Sequence, residues 1–332
     1  MLQNYKISII IPIHNTGKYI ARCAESLLSQ TLDEIEYIFI NDGTPDNSIE
    51  ILSNVIANYP HRKDDIKIIN HNPNKGTSAS RNAGLSIAAG EYIFHCDSDD
   101  WVECSFCEKA YNKAKETDSD IVWSDYYISS ARKNKYIKQK FEENKVSCLL
   151  SMFKGNMQWN VWNKIFKKEL YSNEGTTLST SNNLTEDWAT LKLFYYANKV
   201  SYLSGAYYHY SHNPTSTVHQ KLSQKLIENT IIDLKAIFCF FEKQSDYFLY
   251  EKQINYFKLI CKIGLMWRNT DKMQLKQYST IFPETNEFIF KSRDFFNIHI
   301  KIILWLSSKG RTNIVWVHNV LLNQIKKINN GL

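Results

Sequence analysis

Short apolar runs alternate with helix-like segments through the first hundred residues, and this alternation limits the fold more than any other feature. The runs are rich in isoleucine, tyrosine and phenylalanine, as is typical of buried strands. They lie at residues 6–12, 36–40, 66–69 and 92–96. Apolar side chains recur at helical spacing in residues 20–28, 48–58 and 78–89. Strands that alternate with helices form parallel sheets with helices on both faces. The sequence therefore predicts an α/β domain with a central, mostly parallel sheet flanked by helices.

The second half of the chain changes in character. Residues 120–124 have the pattern of one more strand, and we expect a loop at residues 160–166. From about residue 220 to residue 277, helical spacing dominates. Loop-forming residues near 212–220 suggest a boundary there. We therefore predict an α/β domain over residues 1–215 and a mainly helical C-terminal region over residues 216–332.

Composition is typical of a globular protein, with 43% hydrophobic and 22% charged residues among 332. The seven cysteines are odd in number and lack the spacing of a disulfide framework, which favours a reducing cytoplasm. Apolar runs such as residues 302–306 are far shorter than the roughly 20 residues that cross a bilayer. We expect a cytoplasmic protein without a transmembrane helix.

Basic residues are unevenly distributed. Residues 1–218 carry 23 basic and 25 acidic side chains, residues 219–332 carry 17 and 9, and residues 295–332 contain no acid. One face of a predicted C-terminal helix is apolar. It comprises Ile314, Val317, Leu321, Ile325 and Ile328. This tail is either a peripheral membrane contact through residues 295–332 or an ordinary amphipathic helix that packs on its own domain.

Three carboxylates lie within four positions directly after the fourth strand, in the segment Asp97-Ser98-Asp99-Asp100. Clustered carboxylates repel one another, and a divalent cation removes that cost. Oxygen ligands suit Mn²⁺ or Mg²⁺, which are commonly held by one or two carboxylates together with substrate phosphates. The alternative is a helix cap, in which Asp99 or Asp100 precedes a helix that begins near Trp101.

Six segments in fixed order carry a family resemblance, at residues 9–15, 41–48, 74–84, 90–101, 162–166 and 186–188. Together they resemble the inverting glycosyltransferases of family 2, of the bacterial surface-polysaccharide type. The resemblance covers residues 5–210 and implies a GT-A-type nucleotide-binding domain. It also implies transfer of a hexosyl or N-acetylhexosaminyl group from a nucleotide sugar, with UDP as the expected carrier.

The resemblance assigns donor-binding roles to residues at the strand ends. Asp42 would accept a hydrogen bond from the nucleobase, although it could equally form a turn with Gly43. Pro12 and Asn15 would line the pocket for base and ribose. Arg81 would contact the base or the phosphates. Asn74 and Gly76 would shape the same wall.

The resemblance also assigns the chemistry. Asp99 would ligate the metal ion, Asp97 would contact ribose or metal, and Ser98 would lie with them at the donor. Asp187 in the pair Glu186-Asp187 matches the general base that activates the acceptor hydroxyl, and Glu186 is the second candidate. Many relatives have glycine where this chain has Thr185, and a helix cap is the alternative for this segment.

By the same resemblance, the acceptor would be a hydroxyl of a cell-surface polysaccharide or glycolipid.

Other classes of function are less well supported. A membrane-associated module that binds a nucleotide sugar without turnover is the alternative. The sequence contains no recognisable nucleic-acid-binding motif, and no GxGxxG segment of a dinucleotide-binding fold follows the first strand.

Overall fold

A computed structural model describes residues 4–130, 133–178, 188–211, 223–267, 269–291 and 295–329, with side chains as far as residue 324. The chain divides into two compact units. The first comprises Met1–Met152 with Asn156–Phe240, and the second comprises Phe153–Gly155 with Phe241–Leu332. The predicted boundary near residue 215 falls in a segment outside the described residues.

The first four strands form the parallel half of one sheet. They are β1 (Ile7–Ile13), β2 (Ile35–Asp42), β3 (Ile66–His71) and β4 (Tyr92–His95), in the order β3-β2-β1-β4. Helices α1 (Ile20–Leu28), α2 (Ser48–Ala57) and α3 (Thr77–Ile87) connect them. Every residue of β1 is buried, because the strand has a neighbour on each side and helices cover the sheet. The predicted α/β alternation is confirmed.

Helix α3 packs closely on the centre of this sheet. A Cβ atom at Gly84 would lie 2.6 Å from Cγ2 of Ile10, too close for any larger residue. This close approach of α3 to β1 places the start of the helix beside the ends of the strands.

The second half of the sheet is mixed. It is formed by β5 (Trp101–Val102), β6 (Ile121–Ser129), β7 (Asn134–Ile137), β8 (Lys164–Lys167) and β9 (Val200–Ser211). Strand β8 lies between β4 and β6 and is antiparallel to both. The loop predicted at residues 160–166 is therefore wrong from residue 164 onward. The apolar pair Ile165-Phe166 is fully buried, but it is too short to be recognised as a strand.

Besides α1, α2 and α3, the first unit contains four more described helices. They are α4 (Phe106–Thr117), α5 (Lys145–Phe153), α6 (Ala189–Tyr196) and α7 (Gln224–Glu242), of which α5 and α7 end in the second unit. The second unit contains α8 (Glu251–Met266), α9 (Lys272–Ser279), α10 (Ile298–Ser308) and α11 (Thr312–Asn329). The predicted helical C-terminal region is confirmed. Across the described ranges, every helix is too short or too polar to span a bilayer.

Candidate functional site

The predicted donor-site residues within the described part of the chain converge at the carboxyl edge of the parallel strands. Asn15 follows β1, Asp42 ends β2 and the acidic segment 97–100 follows β4. The residues before α3, which follow β3, reach the same edge. In open α/β sheets, ligands bind in the crevice beyond this edge. The fold thus brings together segments that are far apart in sequence.

Asp42 organises the loop that leads into α3. Its Oδ1 accepts hydrogen bonds from the Lys75 backbone N–H at 2.8 Å and from His71 Nδ1 at 2.9 Å. Its Oδ2 accepts one from the Gly76 backbone N–H at 2.8 Å. Burial by itself would raise the pKa of Asp42, but the hydrogen bonds outweigh it and lower the pKa. Asp42 is therefore an ionised anchor, and a nucleobase contact remains a prediction.

The loop before α3 depends on a glycine. Gly76 has a φ of +89°, a region that is strained for residues with a Cβ atom. The neighbouring Asn74 accepts the Gly76 N–H through its side-chain oxygen at 3.0 Å, and its amide nitrogen lies 3.0 Å from His14 Nδ1. Asn74 and Gly76 therefore lie at this edge of the sheet, and their role as a wall of the donor pocket remains a prediction.

The loop after β1 lies at the same edge of the sheet. Pro12 is buried within β1 and does not end the strand, which continues to Ile13. Asn15 is exposed and has a φ of +56°, a left-handed conformation that asparagine tolerates better than most residues. Its backbone N–H donates to Thr44 Oγ1 at 2.8 Å. This bond links the loop after β1 to the loop after β2.

Arg81 forms an ion pair with Asp97. The arginine side chain is almost fully buried on α3, and its Nη2 donates to Oδ1 of Asp97. Asp97 itself is partly exposed, whereas Ser98 is buried. The arginine compensates part of the negative charge in the acidic segment. Donor contacts by Arg81 and Asp97 remain predictions.

The third carboxylate of the segment belongs to the protein interior. Asp100 is buried; its Oδ2 accepts from Tyr208 Oη at 2.7 Å and its Oδ1 from the Ser211 backbone N–H at 2.7 Å. Burial raises the pKa of Asp100, and the nearby carboxylates of Asp99 and Asp97 raise it further. The alternative of a helix cap is wrong. Trp101 begins β5 rather than a helix, because β9 pairs with it as an edge strand.

The chemistry of the remaining donors fits a hard divalent cation. Asp97 and Asp99 are partly exposed carboxylates, whereas Asp100 is buried and both its oxygens accept hydrogen bonds from the protein. In the part of the chain with described side chains, no group of three or more His, Cys, Asp or Glu side chains is arranged to hold a metal ion. An ion bound to Asp97 and Asp99 would therefore complete its coordination with substrate phosphates and water.

The two candidates for the general base cannot be placed. Glu186 and Asp187 lie in residues 179–187, outside the described residues. The description resumes at Trp188, directly before α6. Their roles remain predictions from the family resemblance.

Tyr208 and His71 are site residues that the sequence did not reveal. The hydroxyl of Tyr208 accepts the Asp97 backbone N–H at 3.2 Å and donates to Asp100. The ring stacks on Trp162 at a centroid distance of 4.5 Å. Tyr208 lies 108 positions from Asp100 in sequence, so no local pattern could indicate their contact. His71 could have been suspected from its place directly after the third apolar run.

Substitution of Tyr208 by phenylalanine is expected to loosen the acidic segment. The change removes a hydrogen bond to buried Asp100 and the acceptor of the Asp97 N–H, which should destabilise the protein by about 1–3 kcal/mol. The unfolding temperature should fall by about 3–10 °C. Tyr207→Phe is the matched control, since the Tyr207 hydroxyl contacts only the Ser204 carbonyl among its described hydrogen bonds. Equal losses in both variants would contradict the role of Tyr208.

Comparison with known proteins identifies the family of this chain. The family model described as Glycosyl transferase family 2 matches residues 8–181, which is more than half of the chain. The chain therefore belongs to glycosyl transferase family 2. It is 33% identical over 218 residues to the uncharacterized glycosyltransferase EpsJ of Bacillus subtilis, an alignment that covers 63% of this chain and 62% of EpsJ.

A second relative is matched over most of its length. The cholesterol galactosyltransferase of Borreliella burgdorferi is 30% identical over 303 residues, covering 84% of this chain and 81% of that protein.

Among solved structures, Staphylococcus aureus TarS 1–349 in complex with UDP-GlcNAc has a TM-score of 0.76 at 18% identity, covering 96% of this chain and 92% of that one. The GT-A fold is thereby confirmed.

A more distant structure shares the same fold. The mannosyltransferase PcManGT from Pyrobaculum calidifontis, in complex with GDP-Man and Mn²⁺, has a TM-score of 0.56 at 10% identity. It covers 98% of this chain and 89% of that one. At this identity the likeness concerns the fold alone.

Proposed function

We propose that this protein is an inverting glycosyltransferase. It moves a hexosyl or N-acetylhexosaminyl group from a UDP-sugar to a hydroxyl of a cell-surface polysaccharide or glycolipid. The observation that carries the proposal is the convergence, at one sheet edge, of the Asp42-anchored loop, the Arg81–Asp97 ion pair and Asp99. Membership of glycosyl transferase family 2 supports the same conclusion.

Donor binding would use the two walls of the crevice. Pro12, Asn15 and Asp42 would contact base and ribose, Asn74 and Gly76 would form the opposite side, and Arg81, Asp97 and Ser98 would lie toward the phosphates. Hydrogen bonds within the loops hold this crevice in shape before the donor arrives, which lowers the entropy cost of binding. TarS, which shares the fold, is in complex with UDP-GlcNAc, and this supports UDP as the carrier.

Metal assistance is part of the proposal. Asp99 would hold Mn²⁺ or Mg²⁺ together with Asp97. A bound ion would neutralise charge on the departing nucleoside diphosphate. Asp100 would not ligate it, because its oxygens already accept hydrogen bonds from the Tyr208 hydroxyl and the Ser211 backbone N–H. The Mn²⁺ in the mannosyltransferase of the same fold supports this assignment.

The transfer itself would be a single displacement. The acceptor oxygen forms a bond to the anomeric carbon as the bond from that carbon to the diphosphate oxygen breaks. Asp187 takes the proton of the acceptor hydroxyl, and the nucleoside diphosphate leaves with the bonding electron pair. Attack from the face opposite the leaving group inverts the configuration.

The acceptor and the location are further parts of the proposal. The name of the cholesterol galactosyltransferase supports a lipid acceptor, whereas a polysaccharide acceptor rests on the family resemblance alone. A cytoplasmic position, at the inner face of the cell membrane, remains a prediction.

A thermal-shift panel tests donor binding. The full chain is heated with UDP-GlcNAc, UDP-glucose, UDP-galactose or GDP-mannose, with and without Mn²⁺. At a donor concentration about 100 times the Kd, ligand binding should raise the unfolding temperature by on the order of 5–10 °C. The shift should be larger with Mn²⁺ than without it, and it should be largest for one UDP-sugar. A panel without any shift, or with a larger shift for GDP-mannose, would reject the assigned donor.

Turnover separates an enzyme from a non-catalytic binding module. An enzyme should release UDP from the donor that the panel identifies, faster when acceptor is present. A module that only binds would show the thermal shift and no UDP release above the rate without protein.

A further inference from the structure

The last two helices of the second unit each expose a row of apolar side chains. The rows consist of Ile298, Ile302 and Trp305 on α10 and of Ile314, Val317 and Leu321 on α11. These six side chains, which we call the hairpin face, are between 43% and 66% exposed. Spacings of three, four and seven residues place each row on one side of its helix. The sequence predicted an apolar face on the last helix, and the structure shows its described part in contact with solvent.

The opposite sides of both helices attach the hairpin to its own unit. Helix α10 buries Ile303, Leu304 and Ser307. Helix α11 buries Val315 and Asn319, and the Asn319 amide donates to the backbone carbonyls of Met266 at 2.8 Å and Asn269 at 2.9 Å. The side chains that pack these helices on their own unit are therefore not those of the hairpin face. The hairpin face stays exposed.

The two rows lie on the same side of the hairpin. A turn at residues 309–311 reverses the chain, and His299 of α10 meets His318 of α11 with their Nε2 atoms 3.0 Å apart. At about 100° per residue, His299 lies about 90° and His318 about 70° from the centre of its own apolar row, in the same rotational sense. For two antiparallel neighbours, this arrangement directs both rows to one side. The two rows therefore face the same surface.

The charged side chains of the hairpin segment itself are all basic. Lys309 and Arg311 are exposed in the turn between the helices, and residues 295–332 contain no acidic side chain. The wider segment 219–332 has 17 basic and 9 acidic residues. An apolar face that contains a tryptophan and lies beside two exposed basic side chains matches the interface of an anionic bilayer, where acyl chains receive the apolar groups and phosphates the cations.

We propose that the hairpin face binds the surface of an anionic phospholipid bilayer. Ile298, Ile302, Trp305, Ile314, Val317 and Leu321 enter the interfacial region, and Lys309 and Arg311 contact lipid phosphates. A second copy of the chain fits less well, because its own hairpin face offers no acidic side chain in residues 295–332 to pair with Lys309 and Arg311. The proposal goes beyond the proposed function and does not depend on it, since bilayer binding requires no sugar transfer.

Vesicle flotation of the full chain tests the proposal. The protein should float with vesicles of phosphatidylglycerol and phosphatidylcholine and much less with vesicles of phosphatidylcholine alone. The triple variant Trp305→Gln, Val317→Gln and Leu321→Gln should lower the partition coefficient by at least about tenfold, because three apolar groups no longer enter the interface. The charge variant Lys309→Glu with Arg311→Glu should remove most of the preference for phosphatidylglycerol.

Matched controls make the outcome decisive. The triple variant Ile87→Gln, Phe141→Gln and Ile232→Gln removes apolar side chains that are equally exposed in the first unit. The pair Lys63→Glu and Lys133→Glu changes the net charge by the same amount at exposed positions of the first unit. Circular dichroism confirms that each variant is folded.

Three results would overturn the proposal. The first is undiminished flotation of the hairpin variants, and the second is an equal loss of flotation in the control variants. The third is a dimer of the unmodified chain, detected by light scattering, that the hairpin substitutions dissociate while none of the proteins binds vesicles. Failure of donor binding in the thermal-shift panel would leave the vesicle result intact, so the two proposals fail separately.

Discussion

Replacement of Asp187 by asparagine is expected to lower the rate of sugar transfer by about 10²- to 10⁴-fold, the usual contribution of a positioned general base. Asparagine has nearly the shape of aspartate but cannot take the proton of the acceptor hydroxyl. Donor binding should therefore persist, and the Mn²⁺-dependent thermal shift should remain close to that of the unmodified protein. The measurement is UDP release from the donor identified by the panel, with and without acceptor.

Glu186→Gln is the matched control for this experiment. It neutralises the adjacent carboxylate and leaves Asp187 intact, so it should reduce transfer far less. The reverse order of effects would assign the base to Glu186. Full activity in both variants would show that neither residue takes the proton.

Substitution of Asp99 by asparagine is expected to weaken Mn²⁺-dependent donor binding by about 10²- to 10³-fold, equivalent to about 3–4 kcal/mol. The amide oxygen is a neutral and weaker ligand than a carboxylate oxygen. Titration of Mn²⁺ at constant UDP-sugar, followed by the thermal shift, measures the change. Binding of UDP-sugar without the metal should be nearly unaffected, because Asp99 acts through the ion.

Asp100→Asn separates ligation from simple loss of charge. Both substitutions remove one carboxylate from the same four residues, but the Asp100 oxygens are directed to Tyr208 and Ser211. An asparagine at position 100 can still accept the Ser211 N–H. The apparent Mn²⁺ affinity should therefore change by less than about tenfold. Equal losses at positions 99 and 100 would mean that the site responds to total charge, and the assignment of Asp99 as ligand would fail.

The fold of the first half could be predicted closely from sequence. Buried parallel strands are nearly continuous apolar runs, and each of the four runs became a strand within a few residues of its predicted bounds. Strand β8 could not be predicted in this way. Its short segment becomes a strand only because β4 and β6 bind it on either side.

The site shows the same division. Asp42, Gly76, Arg81 and Asp97 were recognised from sequence, because each belongs to a local motif at the end of a strand. The partners of these residues were not recognised. The burial of Asp100 and its contact with Tyr208 depend on β9 returning to the sheet 108 positions later. A local motif records which residue types are present, whereas burial and long-range pairing decide which of them remain accessible to a ligand.

The chain by itself determined the α/β alternation, the family resemblance and the set of acidic candidates, since these properties are encoded in local spacing and residue type. Only the tertiary structure decided which carboxylate of the acidic segment is used internally and which side of the C-terminal hairpin faces solvent. The physical reason is that solvation and charge compensation depend on neighbours in space. Asp100 acquires such neighbours from β9, while the side chains of the hairpin face stay about half exposed.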